Sequence, residues 1–149
     1  MYKAIDVAEY VIQHSNYMSN LKLQKVLYFL QANHLVLTGK PLFSDEIEAV
    51  GFGPVVYNVY RKYLVFGGSS IPKSSVYIDK IYKHDKEELD SMIEELEKYS
   101  SSYLSEVILH QTPWRHAKIV YRYNNGKMNR MRVITHESLI EYFKEDENE

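Results

Sequence analysis

The chain contains no cysteine and a single tryptophan among its 149 residues. Without cysteine there is no disulfide, thiolate-bound metal, cysteine nucleophile or thiol redox switch. That lack agrees with a reducing compartment, and the expected location is the cytoplasm. Long apolar runs are missing too: the longest, Val26 to Leu30, falls far short of the ~20 residues that span a bilayer. Asp6 and Glu9 interrupt the N-terminus where a signal peptide needs its apolar stretch. Neither sign of charge dominates. With 18 Lys+Arg against 20 Asp+Glu, a net −2 supplies no bulk drive toward nucleic acid or an anionic membrane. No repeat, low-complexity tract or linker divides the chain. Its length fits one domain able to bury roughly 68–70% of its unfolded surface.

Tyrosine, by contrast, is abundant: fourteen copies dominate an aromatic share of 13%. Such amphipathic rings suit half-buried core edges first and interaction surfaces second.

Apolar spacing organises the rest. Ile5, Ala8, Val11 and Ile12 recur at helical intervals, and 16–20 reads as a connection. From Leu21 to Thr38 a longer helix carries a stripe of Leu23, Val26, Leu27, Leu30, His34 and Leu37. Tyr28, Phe29, Ala32, Leu35 and Val36 flank it, so this helix is expected to be central and covered on most sides. Gly39-Lys40-Pro41 stops it. Ile47 to Phe52 reads as a short extended segment. Gly53-Pro54 then looks like a helix entry, since Pro at the first position loses only an orphaned amide. Val56, Val59, Tyr60 and Tyr63 supply that helix's buried stripe, and 67–70 ends it.

Asp85 to Tyr99 is an amphipathic surface helix with a seam of Leu89, Met92, Ile93 and Leu96, while Glu87, Glu88, Glu94 and Glu95 face water. A short helix around Tyr103 to Leu109 precedes Thr112-Pro113-Trp114, read as N-cap, first-turn proline and aromatic anchor. The next stretch is ambiguous. Asn125-Gly126 is a hairpin signal, yet the Thr-Pro-Trp start also launches a helix. The reading taken is helix to about Tyr121, followed by an irregular or hairpin-like excursion. Thr135 caps a last helix bearing Leu139, Ile140 and Phe143. The expected fold is therefore mainly α: one compact domain of about six or seven helices around a central buried helix, with at most a minor β hairpin. The domain spans 1–144, and 145–149 is an acidic tail expected to fray.

Enzyme signatures do not surface. There is no phosphate loop, Gly-x-Ser-x-Gly elbow or His-Glu-x-x-His pair. Gly51-Phe52-Gly53 lacks the third glycine of a dinucleotide fingerprint. His110 and His116 stand six apart, off the spacing that brings two imidazoles to one helical face. His34 reads as a hydrogen-bonded core residue before it reads as a ligand. An unrecognised catalytic site around His34 and Glu48 stays open as an alternative.

Charge is unevenly placed. Between Asp85 and Lys98 seven acidic residues meet two basic ones, whereas Arg115 to Arg132 holds six basic residues and no acidic one. The basic stretch, interleaved with Tyr121 and Tyr123, reads as a solvated face, an acidic-partner contact or a phosphate contact, and a nucleic-acid-binding regulator using 115–132 stays open as an alternative.

An ordered set of motifs resembles the Panacea domain family, also called SocA-like or phage-associated GepA-like proteins. It starts with Met18-Ser19-Asn20-Leu21-Lys22-Leu23-Gln24-Lys25-Val26-Leu27-Tyr28 and continues through Gln31, His34 and Leu35 to Thr38-Gly39-Lys40-Pro41-Leu42-Phe43. Glu48-Ala49, Phe52-Gly53-Pro54-Val55-Val56 with Val59-Tyr60, Thr112-Pro113-Trp114 and Ile140-Glu141-Tyr142-Phe143 follow in order. Asn33 and Val50 depart from it, standing where many members carry Trp.

The resemblance implies an antitoxin, not an enzyme, that needs no cofactor or metal. It would neutralise a cognate toxin protein encoded beside it in a prophage or mobile element. One relative acts instead as a proteolysis adaptor, which would add a protease as partner. Nucleic acid and membrane are not expected partners, and a homodimer is compatible with the opposed charges. On this reading the partner-binding candidates are Gln24, Lys25, Tyr28, Gln31, His34, Gly53, Pro54, Tyr60 and Trp114. Tyr28, Tyr60 and Trp114 read first as closers of the core and second as direct toxin contacts.

Overall fold

A computed structural model describes residues 1–147 of the chain. Seven α-helices, one 3-10 turn and four strands follow one another. They are α1 (Ala4–Gln13), α2 (Asn20–Thr38), β1 (Ile47–Val50), β2 (Gly53–Val55), α3 (Tyr57–Lys62) and a 3-10 turn (Leu64–Phe66). Then come α4 (Lys83–Glu97), α5 (Ser101–Leu109), α6 (Thr112–Arg115), β3 (Lys118–Asn124), β4 (Lys127–Ile134) and α7 (His136–Glu147). No helix among the described residues is long and apolar enough to cross a membrane. The expected frayed tail, 145–149, lies outside the residues whose side chains are described.

Helix α2 is the axis. Ser19 caps it by accepting the Lys22 amide, and Gly39 ends it in the left-handed conformation at φ 75°. Leu23, Val26, Leu27 and Leu30 are buried, each stabilising the fold by about 1.5–3 kcal/mol relative to exposure. Helices α1, α3, α4, α5 and α7 and strand β2 all pack on it. Leu37, expected on the buried stripe, is exposed instead, because the last turn runs past its neighbours.

A four-stranded antiparallel sheet of order β2-β1-β4-β3 overturns the mainly α expectation. The fold is mixed α/β. Two local readings fail with it. Gly53-Pro54 is not a helix entry: Gly53 sits at φ 128° and pairs with Val50, and Pro54 pairs with Ala49. Because β2 is an edge strand, the missing proline amide costs no ladder bond to a further neighbour. Helix α3 begins only at Tyr57.

The helix launched at Thr112 lasts four residues, with Gln111 at its N-cap in place of Thr112, and β3 starts at Lys118. Ile119, Val120, Tyr121 and Tyr123 offer no helical apolar stripe beyond Trp114. They pair instead with 128–132 across a turn in which Asn125 and Gly126 take φ 51° and 77°. Thr135 caps α7 as expected, accepting the Ser138 amide at 3.2 Å.

Candidate functional site

Polar residues of α2 are directed inward and tie separate segments to the axis. Gln24 accepts the Val56 amide at 2.8 Å through Oε1 and donates Nε2 to Asn20 at 3.1 Å. Asn20 in turn donates to the Tyr60 carbonyl. Gln31 is fully buried: Oε1 accepts the amides of Leu42 (2.8 Å) and Phe43 (3.2 Å), and Nε2 donates to the Phe43 carbonyl at 3.0 Å. The Tyr28 hydroxyl donates to Gln111 at 2.6 Å, and burial pushes its pKa upward. These three side chains build the scaffold.

Lys25 is unusual. Its side chain is buried, its ammonium donates to the Leu21 carbonyl at 3.2 Å, and no carboxylate pairs with it among the described residues. Desolvation lowers its pKa. Gly53 lies directly over it, where an added Cβ would stand 3.7 Å from Lys25 Cε. Gly53 and Pro54 are themselves buried, whereas Phe52, one residue earlier, is exposed. The Phe52 ring lies 6.0 Å from that of Tyr60, and Tyr57 lies 6.4 Å beyond. Lys25 and Gly53 thus meet beneath the surface, while Phe52, Tyr57 and Tyr60 form an aromatic group next to Gly53 in which Tyr57 lies outside the quoted motif. The signal for it was the Tyr57/Tyr60 spacing at i, i+3.

Trp114 is half-buried and joins three elements. Its indole donates to the Val50 carbonyl at 3.1 Å, while the Arg132 guanidinium lies 5.0 Å over the ring and donates to the Trp114 carbonyl at 2.7 Å. The ring therefore locks α6 to β1 and β4.

His34 pairs with Glu88 of α4 at 3.0 Å, not with Glu48. Glu88, expected to face water, is accordingly half-buried. Asp85, one turn earlier, accepts the Tyr2 hydroxyl; burial, and then that bond, raises the Tyr2 pKa to about 12. One ligand-type atom from each of His34, Asp85 and Glu88 lies within 4.8 Å of the others. Those residue types can ligate a divalent metal, but His34 already pairs with Glu88 and the Tyr2 hydroxyl with Asp85, so the cluster is satisfied by its own hydrogen bonds. Glu48, on β1, has its pKa raised by burial and by Glu46.

Hairpin β3–β4 places the basic stretch. Every residue from Tyr121 to Arg130 is exposed. Arg122 pairs with Glu46 and Arg132 with Trp114, so two of the six cations are held within the domain.

The family described as antitoxin SocA-like, Panacea domain, matches residues 23–115, more than half of the chain. A curated relative, Antitoxin SocA of Caulobacter vibrioides (strain NA1000 / CB15N), is 42% identical over 62 residues. That alignment covers 42% of this chain and 33% of the relative, a third of its length. No solved structure matches. The chain belongs to the antitoxin SocA-like, Panacea domain family.

Proposed function

We propose that this chain is the antitoxin of a toxin–antitoxin pair and neutralises its toxin by binding it as a folded protein. The observation that carries the reading is the family match, which runs from the first turns of α2 through α6. Within that segment Gln24, Tyr28 and Gln31 hold the frame together, and Phe52, Tyr57 and Tyr60 bring aromatic surface to the outside beside Gly53. Tyrosine and phenylalanine at a surface are the side chains that interfaces favour. The role is non-enzymatic and cytoplasmic, and the toxin is encoded beside the antitoxin on a prophage or mobile element.

The test is to express the adjacent reading frame in a bacterial host with and without this chain. Growth arrest relieved by the chain, together with a complex that co-purifies, is the expected outcome. Relief without a complex would favour delivery of the toxin to a protease. A harmless neighbour that forms no complex would remove the reading.

A further inference from the structure

Hairpin β3–β4 projects from the sheet with two unlike faces. Its register sets Ile119 opposite Arg132, Tyr121 opposite Arg130 and Tyr123 opposite Met128, so these six side chains share one face. There Ile119, Tyr121, Tyr123 and Met128 are between 47% and 72% exposed. The other face carries Arg122, already paired with Glu46, and the buried Val133. Arg130 has no carboxylate partner among the described residues. Aromatic and apolar groups grouped around an unpaired arginine make a surface suited to cover by a partner.

Resting on the antitoxin reading, we propose that this face is the specificity-determining part of the toxin interface. Its occupant is an acidic protein surface with an apolar centre. Three observations support that choice. The face carries Arg130 and Arg132 and no acidic residue, so an acidic partner is complementary. The family match ends at Arg115, three residues before β3, while β1 inside the match carries the hairpin through the pairs Ile47–Ile134 and Glu48–Val133. The hairpin thus lies outside the matched segment yet is anchored on a strand inside it.

The third observation separates the toxin from rival occupants. A second copy could offer the acidic helix α4, but its outer positions Glu87, Asp90, Ser91, Glu94 and Glu95 have nothing apolar to cover Ile119 and Met128. Nucleic acid would track a row of free cations, whereas Arg130 alone is unpaired on this face, between Tyr121 and Met128.

The experiment uses the purified chain and the purified product of the adjacent reading frame. One variant combines Tyr121→Ser with Tyr123→Ser, a second carries Arg130→Glu, and Glu94→Gln on α4 is the control. Both hairpin variants should bind at least about tenfold more weakly, as loss of interface anchors does. The Arg130→Glu deficit should shrink as salt rises. Circular dichroism and unfolding midpoints should match the parent, and the control should bind like it. Parent-like affinity in both hairpin variants overturns this proposal and leaves the antitoxin reading standing. Failure of the parent chain to bind or to rescue growth overturns both. Self-association, or binding of a short DNA duplex, that the hairpin variants abolish would give the face to another occupant and also overturn the proposal.

Discussion

The hydroxyl of Tyr28 donates to the side-chain oxygen of Gln111 at 2.6 Å, joining the central helix to the turn that starts α6. Both groups are buried, and the same turn leads directly to Trp114. The bond therefore fixes where the sheet-facing indole stands, although neither residue touches the sheet ladder itself.

Tyr28→Phe keeps the ring and strands the Gln111 oxygen without its donor. The expected cost is about 1–3 kcal/mol, the penalty for one unsatisfied buried polar group. Urea unfolding measures it, and Gln111→Leu combined with Tyr28→Phe should recover part of the loss, because both polar partners are then gone.

Gln31→Leu should be worse. It leaves two backbone amides and one carbonyl of the Leu42–Phe43 segment unpaired in the core. A loss of about 3 kcal/mol or more is expected. Gln31→Glu retains the acceptor toward Leu42 and Phe43 and should fall between the parent and the Leu variant in the same unfolding assay.

Lys25 predicts a pH signature. Burial holds its pKa below the ordinary 10.5. Between the lowered native value and 10.5 the unfolded chain keeps a proton that the folded chain has released. Stability from this group therefore rises with pH across that window. Lys25→Met should erase that rise and be at least as stable as the parent at pH 7, since it removes a desolvated charge. Urea midpoints from pH 7 to pH 10 for the two proteins should converge as pH increases; parallel curves would count against the desolvated ammonium.

Gly126→Ala tests the hairpin turn. At φ 77° an added Cβ is strained by about 1 kcal/mol. Amides of β3 and β4 should exchange about fivefold faster, while those of α2 keep their protection. Toxin affinity should fall along with hairpin protection if the hairpin carries the contact.

What the chain disclosed in advance followed from locality. Helices α1, α2, α4 and α5 announce themselves through nearby spacing, and the end at Gly39 and the cap at Thr135 are read from the residues beside them. The sheet is not local. Its joining pairs, Ile47 with Ile134 and Glu48 with Val133, link segments that share no short-range signal. Gly53-Pro54 suits a helix start and an edge strand equally, so only the presence of β1 decides between them. Glu88 has a similar history: on its own helix it is one more acidic residue, and His34 from a distant helix draws it inward. Among the residues of the ordered motif, Gln24, Lys25, Tyr28 and Gln31 lie buried in the frame, whereas Phe52 is exposed. Reading a helix as far as Tyr121 hid the hairpin face formed by alternating Ile119, Tyr121 and Tyr123.

The sheet's wiring also sets a timetable for synthesis. Strand β1 leaves the ribosome early but must wait for β4, and α2 lacks one wall until α7 follows. At 5–20 residues per second the interval between Ile47 and Ile134 lasts roughly 4 to 17 seconds. Throughout it the nascent chain bears an unpaired strand edge and an uncovered helix. A chain assembled on that schedule completes its sheet and closes its central helix only when its last quarter has been made.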